Sequence, residues 1–110
     1  PSSVDSIPTS ANQEDHVSMA TYAARRLHQM LDNAGYIVAI ELLAAAQGVE
    51  FHHPQKSSPV LEQVLASLRE VSPPYTEDRA LAADVTRVAA MIDTGRFCEH
   101  SASILPSFAR

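Results

Sequence analysis

The sequence predicts an all-α fold, and three observations support that prediction. Alanine accounts for 17 of the 110 residues, whereas the chain has 3 glycines and no tryptophan. Alanine has the highest helix propensity, while strands favour β-branched and aromatic residues. Apolar residues recur at three- and four-residue steps over a long segment, which is the period of a helix face. Serine, proline and glycine also stand where two further helices would begin and end.

The first helix is predicted to be very long, from about residue 14 to residue 49. Ser10 and Gln13 have the spacing of a capping box, and Asn12 is an alternative N-cap. Glu14 would then lie in the first turn, where the helix dipole favours negative charge. The apolar stripe of this helix consists of Val17, Ala20, Ala24, Leu27, Leu31, Ala34, Val38, Leu42, Ala45 and Val49.

The second half of this helix is apolar on almost every side, with Glu41 inside the run IVAIELLAAA. A helix of that kind is buried. It would be about 50 Å long, whereas a compact domain of this size has a radius of gyration of about 13 Å. We therefore expect packing partners from a longer chain or from other subunits. A buried Glu41 would need an ion pair or a hydrogen bond, and a catalytic role is the alternative.

Two shorter helices are predicted after the long one. The serine pair at 57–58 offers an N-cap, Pro59 suits the first helical position, and the prolines at 73–74 end the helix. The next helix is predicted over about 81–94, with Gly95 as its C′ residue. Their buried faces are predicted to be Val60, Leu61, Val64, Leu65, Leu68 and Val71, and then Val85, Val88, Ala89 and Ile92. A short helical turn and a tail are expected after these helices.

Composition excludes several classes of partner. The chain has 8 basic and 13 acidic side chains and a net charge of −5, so it offers no basic stripe for nucleic acid. Its longest apolar run is about half the length of a membrane span, and no membrane partner is expected. A single cysteine and the lack of a signal-peptide pattern favour a cytoplasmic protein.

The histidines and the cysteine do not form a recognisable metal or nucleophile motif. His52 and His53 are adjacent, so their side chains point apart, and a polar loop is the favoured interpretation. Cys98 and His100 match no zinc spacing, and His28 is predicted to lie on a helix surface. The glycines are too scattered for a phosphate loop. No metal site is therefore predicted.

The richest polar cluster is the five-residue run from Asn12 to His16. Such residues are typical of a helix N-terminus, where they cap the helix and complement its dipole. The same side chains could also form part of a polar active site, because loops on a rigid scaffold often carry such groups. The residue types alone leave both interpretations open.

Four segments, in this order, resemble the histidine ammonia-lyases of the aromatic amino acid ammonia-lyase family. They are SVDSIPTSANQEDHVSM (3–19), AIELLAAAQGVEF (39–51), KSSPVLEQV (56–64) and PPYTEDRALAADV (73–85). The resemblance covers essentially the whole chain, as the C-terminal part of a longer subunit. It implies that residues 1–13 belong to an active-site loop and residues 14–110 to a C-terminal helical segment that is not a complete domain.

The resemblance implies non-oxidative elimination of ammonia from L-histidine, with trans-urocanate as the product. The family's electrophile is 4-methylideneimidazol-5-one (MIO), formed from an internal Ala-Ser-Gly tripeptide, which does not occur in these 110 residues. That tripeptide is expected upstream, so the isolated chain is expected to be inactive. Family members are homotetramers whose sites combine residues from several subunits.

By the same resemblance, Glu14 is the catalytic and substrate-binding candidate, facing the imidazole ring as a binding or acid/base group. Gln13 is expected to support the site through hydrogen bonds, while Asp15 and His16 are given structural roles only. Related phenylalanine and tyrosine lyases usually carry an amide where Glu14 stands. Two alternatives remain at this point: a lyase or aminomutase for another aromatic amino acid, and a non-enzymatic helical interaction module.

Overall fold

The computed structural model describes residues 6–101, and for Ser101 the backbone alone. Its regular structure consists of four helices, α1 (Ala20–Glu50), α2 (Pro59–Arg69), α3 (Ala82–Asp93) and α4 (Cys98–Ser101). Within residues 6–101 the extended pairing is limited to one isolated β-bridge. The all-α prediction is therefore confirmed, including one long helix followed by shorter ones.

The chain divides into two compact units, Pro1–Ala34 and Gly35–Arg110. The first unit contains the segment before α1 and the first part of that helix. The second unit contains the rest of α1 together with α2, α3 and α4.

The start of α1 differs from the prediction. The helix begins at Ala20 rather than near Glu14, so the irregular segment extends through Met19. Its first i→i+4 hydrogen bond runs from the Ala23 N–H to the Met19 carbonyl oxygen at 3.0 Å. The Ser18 hydroxyl accepts the Ala20 N–H at 3.3 Å, which satisfies one of the amides that have no partner inside the helix. The predicted capping box is therefore wrong, because its residues form a turn described below.

The core of the second unit lies where α1, α2 and α3 meet. Ala39 and Ala46 of α1, Leu68 of α2 and Val88 of α3 are buried. The surrounding apolar side chains are half-buried, namely Leu42, Leu43, Leu65, Val71, Val85, Ala89 and Ile92. Two buried alanines on one face of α1 allow the other helices to approach its backbone closely.

The buried face of α1 differs in part from the predicted stripe. Leu42 belongs to both, but the other predicted stripe residues within α1 are exposed, and the contact line runs through Ala39 and Ala46 instead. Glu41 is exposed within the described residues, so its burial against further packing partners stays a prediction. The reason is that α2 and α3 cover one face of this helix, although its sequence is apolar on nearly every side.

The start of α2 and the end of α3 follow the sequence prediction, whereas α2 ends at Arg69, before the predicted stop at the prolines 73–74. Ser58 is the N-cap of α2, its hydroxyl accepting the Leu61 N–H, and Pro59 is the first helical residue. At the end of α3, Gly95 has a φ of +72°. The Gly95 N–H donates to the Ile92 carbonyl, and the Arg96 N–H donates to the Met91 carbonyl. This pair of hydrogen bonds is a Schellman motif.

The predicted buried faces of α2 and α3 are confirmed in the main. Leu68 and Val88 are fully buried, and most of the other predicted positions pack around them. Val60 and Leu61, in the first turn of α2, are exposed instead. The short turn expected after α3 is α4, and the expected tail lies outside the described residues.

A buried carboxylate at Asp84 joins α3 to the segment that follows α2. It accepts the Ser72 hydroxyl at 2.7 Å and forms ion pairs with Arg79, at 2.6 Å, and with Arg87. The Ser72 hydroxyl above all holds the pKa of the Asp84 carboxyl below its usual range, and both guanidinium groups act in the same direction against the effect of burial. Asp84 is therefore a charged anchor in an otherwise apolar interface.

A second ion pair holds the end of α1 against α2. Arg69 donates to both oxygens of the Glu50 carboxylate, at 2.7 and 2.8 Å, and also to the Ser72 carbonyl oxygen at 3.1 Å. A bidentate pair of this kind fixes orientation as well as distance. The second unit is thus held by apolar packing and by two polar anchors.

Candidate functional site

The polar run predicted as a candidate site lies in a short hairpin formed by residues 6–17. Thr9 and Glu14 exchange both backbone hydrogen bonds, at 2.9 and 3.3 Å, as the isolated antiparallel bridge. The Ser6 hydroxyl accepts the Val17 N–H at 3.0 Å and donates to the Val17 carbonyl oxygen at 3.2 Å. Both pairs have the same register, so the two arms of the hairpin are joined at two points.

The tip of the hairpin is a tight turn from Ser10 to Gln13. The Gln13 N–H donates to the Ser10 carbonyl oxygen at 3.2 Å, which closes a four-residue turn. Its two central residues, Ala11 and Asn12, have φ values of +56° and +69°, and Ser10 has +51°. Positive φ at both central positions is the pattern of a type I′ turn, the kind that joins antiparallel arms. The capping-box spacing of Ser10 and Gln13 is thus used for a turn.

Pairing across the hairpin brings two side chains together. Residues directly opposite each other in an antiparallel pair project to the same face. The Thr9 hydroxyl accordingly donates to Glu14 Oε2 at 2.9 Å. Glu14 is exposed, whereas Thr9 is half-buried. The carboxylate is therefore held at one oxygen and is open to further hydrogen-bond donors, because an ionised carboxylate accepts at about four positions.

The other predicted residues of this run occupy different positions. Gln13 is exposed at the tip of the hairpin, where its backbone N–H closes the turn. Asp15 and His16 are exposed on the arm that leads to α1. The helix-cap interpretation of the run is therefore wrong, since these residues lie in the hairpin, before the start of α1.

A separate open cleft of about 600 Å³ lies at the beginning of α1. Its lining combines hydroxyl, guanidinium, amide and aromatic groups from Ser18, Met19, Thr21, Tyr22, Arg25, Arg26 and Gln29. Glu14 and Gln13 are not among the lining residues. The predicted site residues and this cleft are thus distinct features of the first unit.

The remaining candidate residues lie in three separate parts of the described chain. His52 and His53 are exposed in the turn after α1, as predicted, and His28 is exposed on α1. Cys98 and His100 lie in α4. Over residues 6–101 no group of three or more histidine, cysteine or acidic side chains is arranged to hold a metal ion. In the same range, no helix is long and apolar enough to cross a bilayer.

Comparison with known proteins relates the hairpin and α1 to an enzyme family. Residues 1–70, which include both features, match the family model described as aromatic amino acid lyase. The chain belongs to the aromatic amino acid lyase family. Over 112 aligned residues, this chain is 55% identical to the histidine ammonia-lyase of Desulfotalea psychrophila, covering 100% of this chain and 22% of that protein.

Solved structures of similar fold agree with the family assignment. The crystal structure of histidine ammonia-lyase from Trypanosoma cruzi matches with a TM-score of 0.83 and 39% identity, covering 97% of this chain and 21% of that one. The tyrosine aminomutase of Streptomyces globisporus matches with a TM-score of 0.78 and 32% identity, covering 100% and 21%. The lyase chain therefore spans about a fifth of the length of these relatives.

Sequence reasoning did not identify two features of the lyase chain. Thr9 was not a candidate, although its contact with Glu14 follows from the hairpin register. The cleft at the start of α1 was also missed, because its lining residues form no recognisable motif in the sequence. The signal that could have identified Thr9 is the turn-forming pair Ser10 and Asn12 between two short polar arms.

Proposed function

We propose that the full-length protein containing this lyase chain eliminates ammonia from L-histidine to give trans-urocanate. The supporting observation is the 55% identity to a histidine ammonia-lyase over the whole chain. Among the solved structures, the histidine ammonia-lyase is 39% identical and the tyrosine aminomutase 32%. The exposed Glu14 carboxylate on a closed hairpin supplies a group suited to the histidine side chain. An imidazole ring carries an N–H donor, which a benzene ring lacks.

Glu14 is proposed to accept a hydrogen bond from the imidazole ring of the substrate. Hydrogen bonds to a charged group contribute about 1.5–3 kcal/mol, which corresponds to roughly tenfold to a hundredfold in selectivity. The same position also suits an acid/base role for Glu14. A carboxylate that accepts a hydrogen bond from the ring is within reach of the proton that it would transfer. Gln13 is proposed to support the substrate-binding region through hydrogen bonds from the hairpin tip.

The electrophile is proposed to be MIO, formed from an Ala-Ser-Gly tripeptide elsewhere in the full-length protein. This group would activate the substrate towards loss of ammonia. The lyase chain itself has no such tripeptide, and none of its described residues is assigned to that group. We further propose a cytoplasmic homotetramer in which this chain supplies the ring-binding carboxylate and other segments supply the rest of the site.

The test is the Glu14→Gln variant of the full-length protein, with urocanate formation followed by its absorbance. We expect kcat/KM for L-histidine to fall by roughly tenfold to a hundredfold, because an amide is a weaker acceptor than a carboxylate. Asp15→Asn is the matched control, since Asp15 is the neighbouring exposed carboxylate. Wild-type kinetics for Glu14→Gln would remove Glu14 from the site.

Substrate choice separates the proposal from its nearest alternative. The structural similarity to a tyrosine aminomutase makes tyrosine the competing substrate to assay. The full-length protein is expected to deaminate L-histidine and to leave L-tyrosine and L-phenylalanine essentially unchanged. Turnover of either of these amino acids without turnover of histidine would contradict the proposed function.

A further inference from the structure

The contact between Thr9 and Glu14 suggests how the candidate carboxylate is held. Glu14 is exposed, and an exposed glutamate side chain ordinarily samples several rotamers, so that ordering it costs conformational entropy. Here the Thr9 hydroxyl donates to Glu14 Oε2 at 2.9 Å. That hydrogen bond selects one arrangement of the carboxylate before any ligand is bound.

The backbone around this contact is fixed as well. Thr9 and Glu14 exchange two backbone hydrogen bonds, and the left-handed turn beyond them is closed from Gln13 to Ser10. At the open end, the Ser6 hydroxyl joins the arms at Val17. The relative position of the two side chains is therefore set by the hairpin register, and the threonine hydroxyl is the group that restrains the carboxylate itself.

We propose that Thr9 is a positioning residue that orients the Glu14 carboxylate for the substrate ring. This inference rests on the proposed function of Glu14 and adds a residue that does not itself touch the substrate. The hydroxyl occupies one acceptor position of Oε2 and leaves Oε1 open, so that the ring N–H meets an oxygen whose direction is already set. Preorganisation of this kind increases affinity by removing an ordering cost from the binding step.

Two variants of the full-length protein separate positioning from packing. Thr9→Val removes the hydroxyl but keeps the branched shape and a high strand propensity. Thr9→Ser keeps the hydroxyl and loses the methyl group. If Thr9 acts by positioning, kcat/KM for L-histidine falls about three- to tenfold in Thr9→Val and changes less than twofold in Thr9→Ser. If Thr9 only shapes the hairpin, valine is tolerated at least as well as serine, which would overturn the inference.

A double variant links any loss to Glu14. In Thr9→Val combined with Glu14→Gln, the fall in kcat/KM is expected to be smaller than the product of the two single effects, because both changes weaken one interaction. Multiplicative losses would show that Thr9 acts independently of Glu14 and would overturn the inference. The Glu14→Gln variant alone tests the proposed role of Glu14, and wild-type kinetics for that variant would reject it. Equal kcat/KM values for Thr9→Val and wild type would reject only the role of Thr9.

Discussion

Ala11 illustrates how a single residue can carry strain near a candidate site. Its φ of +56° lies in the left-handed region, between Ser10 and Asn12, which have the same sign. Asparagine adopts that region readily, but alanine has a Cβ atom that approaches the following carbonyl oxygen, at a cost of about 1–2 kcal/mol. Hydrogen bonds across the hairpin offset this cost. Strain retained beside a polar cluster is typical of functional sites.

The Ala11→Gly variant is expected to stabilise the hairpin by up to about 1 kcal/mol. Glycine removes the Cβ penalty, although it adds an entropy cost of about 0.5–1 kcal/mol from the unfolded chain. Hydrogen exchange of the Gln13 and Glu14 amides in the full-length protein measures the effect, and both amides should exchange more slowly. Ala90→Gly, at an exposed position of α3, is the control and should destabilise that helix by about 1 kcal/mol. Faster exchange at the hairpin would contradict the strain argument.

At the scale of an element, the first turn of α3 is stabilised by contacts with residues outside the helix. Asp84 lies in the first turn, where the helix dipole favours a carboxylate. Its acceptor positions are filled by Ser72 before the helix, by Arg79 in the connecting segment and by Arg87 one turn later. A buried charge is tolerated here because every contact to it is a hydrogen bond or an ion pair.

Asp84→Asn is expected to lower the free energy of unfolding of this unit by about 2–4 kcal/mol at neutral pH. The change leaves Arg79 and Arg87 without their charged partner, and both are partly exposed, so the loss is smaller than for a fully buried pair. Hydrogen exchange of the α3 amides under increasing urea measures it in the full-length protein. Asp93→Asn, an exposed acid of the same helix, should change stability by less than about 0.5 kcal/mol.

The same carboxylate predicts a pH dependence with a defined sign. The folded protein holds the pKa of Asp84 below its usual value, chiefly through the Ser72 hydroxyl. The ionised Asp84 carboxylate therefore stabilises the folded state fully at pH values above its unfolded pKa of about 3.9. This contribution is lost as the pH falls through the lower pKa of the folded state. The stability difference between wild type and Asp84→Asn should be constant near neutrality and should shrink below about pH 4. A difference that grows on acidification would contradict this assignment.

At the scale of the molecule, many apolar side chains are exposed within the described residues. In the first unit they include Tyr22, Leu27, Met30 and Leu31, and in the second unit Ile37, Ile40, Phe51 and Leu61. Burying one side chain of this size contributes about 1.5–3 kcal/mol. The exposed apolar residues therefore agree with the expectation that α1 needs packing partners beyond α2 and α3.

Ile37→Glu tests the proposed homotetramer at the most exposed isoleucine of α1, which is 64% accessible. In the full-length protein we expect a smaller tetramer fraction or a lower thermal midpoint, because a buried charge would replace an apolar contact. Light scattering coupled to size exclusion measures the mass. Gln63→Glu, an exposed position on α2, adds the same charge and should leave the mass unchanged. An intact tetramer with an unaltered midpoint for Ile37→Glu would show that this position lies outside the interface.

The sequence by itself determined the features that depend on neighbours along the chain. Ser58, Pro59 and Gly95 act within one helical turn, so the start of α2 and the end of α3 were predictable. The all-α class also follows from local propensity and apolar period. The resemblance carried by the segment around Glu14 was confirmed at the level of the family.

Only the tertiary structure decided the features that depend on residues meeting across the chain. The spacing of Ser10 and Gln13 suits a helix cap and a tight turn equally well, and hydrogen bonds between Thr9 and Glu14 select the turn. The charge of Asp84 is visible in the sequence, but its partners lie on other segments. Which face of α1 is buried likewise depends on where α2 and α3 pack, because its sequence is apolar on nearly every side. Local patterns specify elements, whereas the partners of Asp84 and the buried face of α1 are specified by contacts between separate segments.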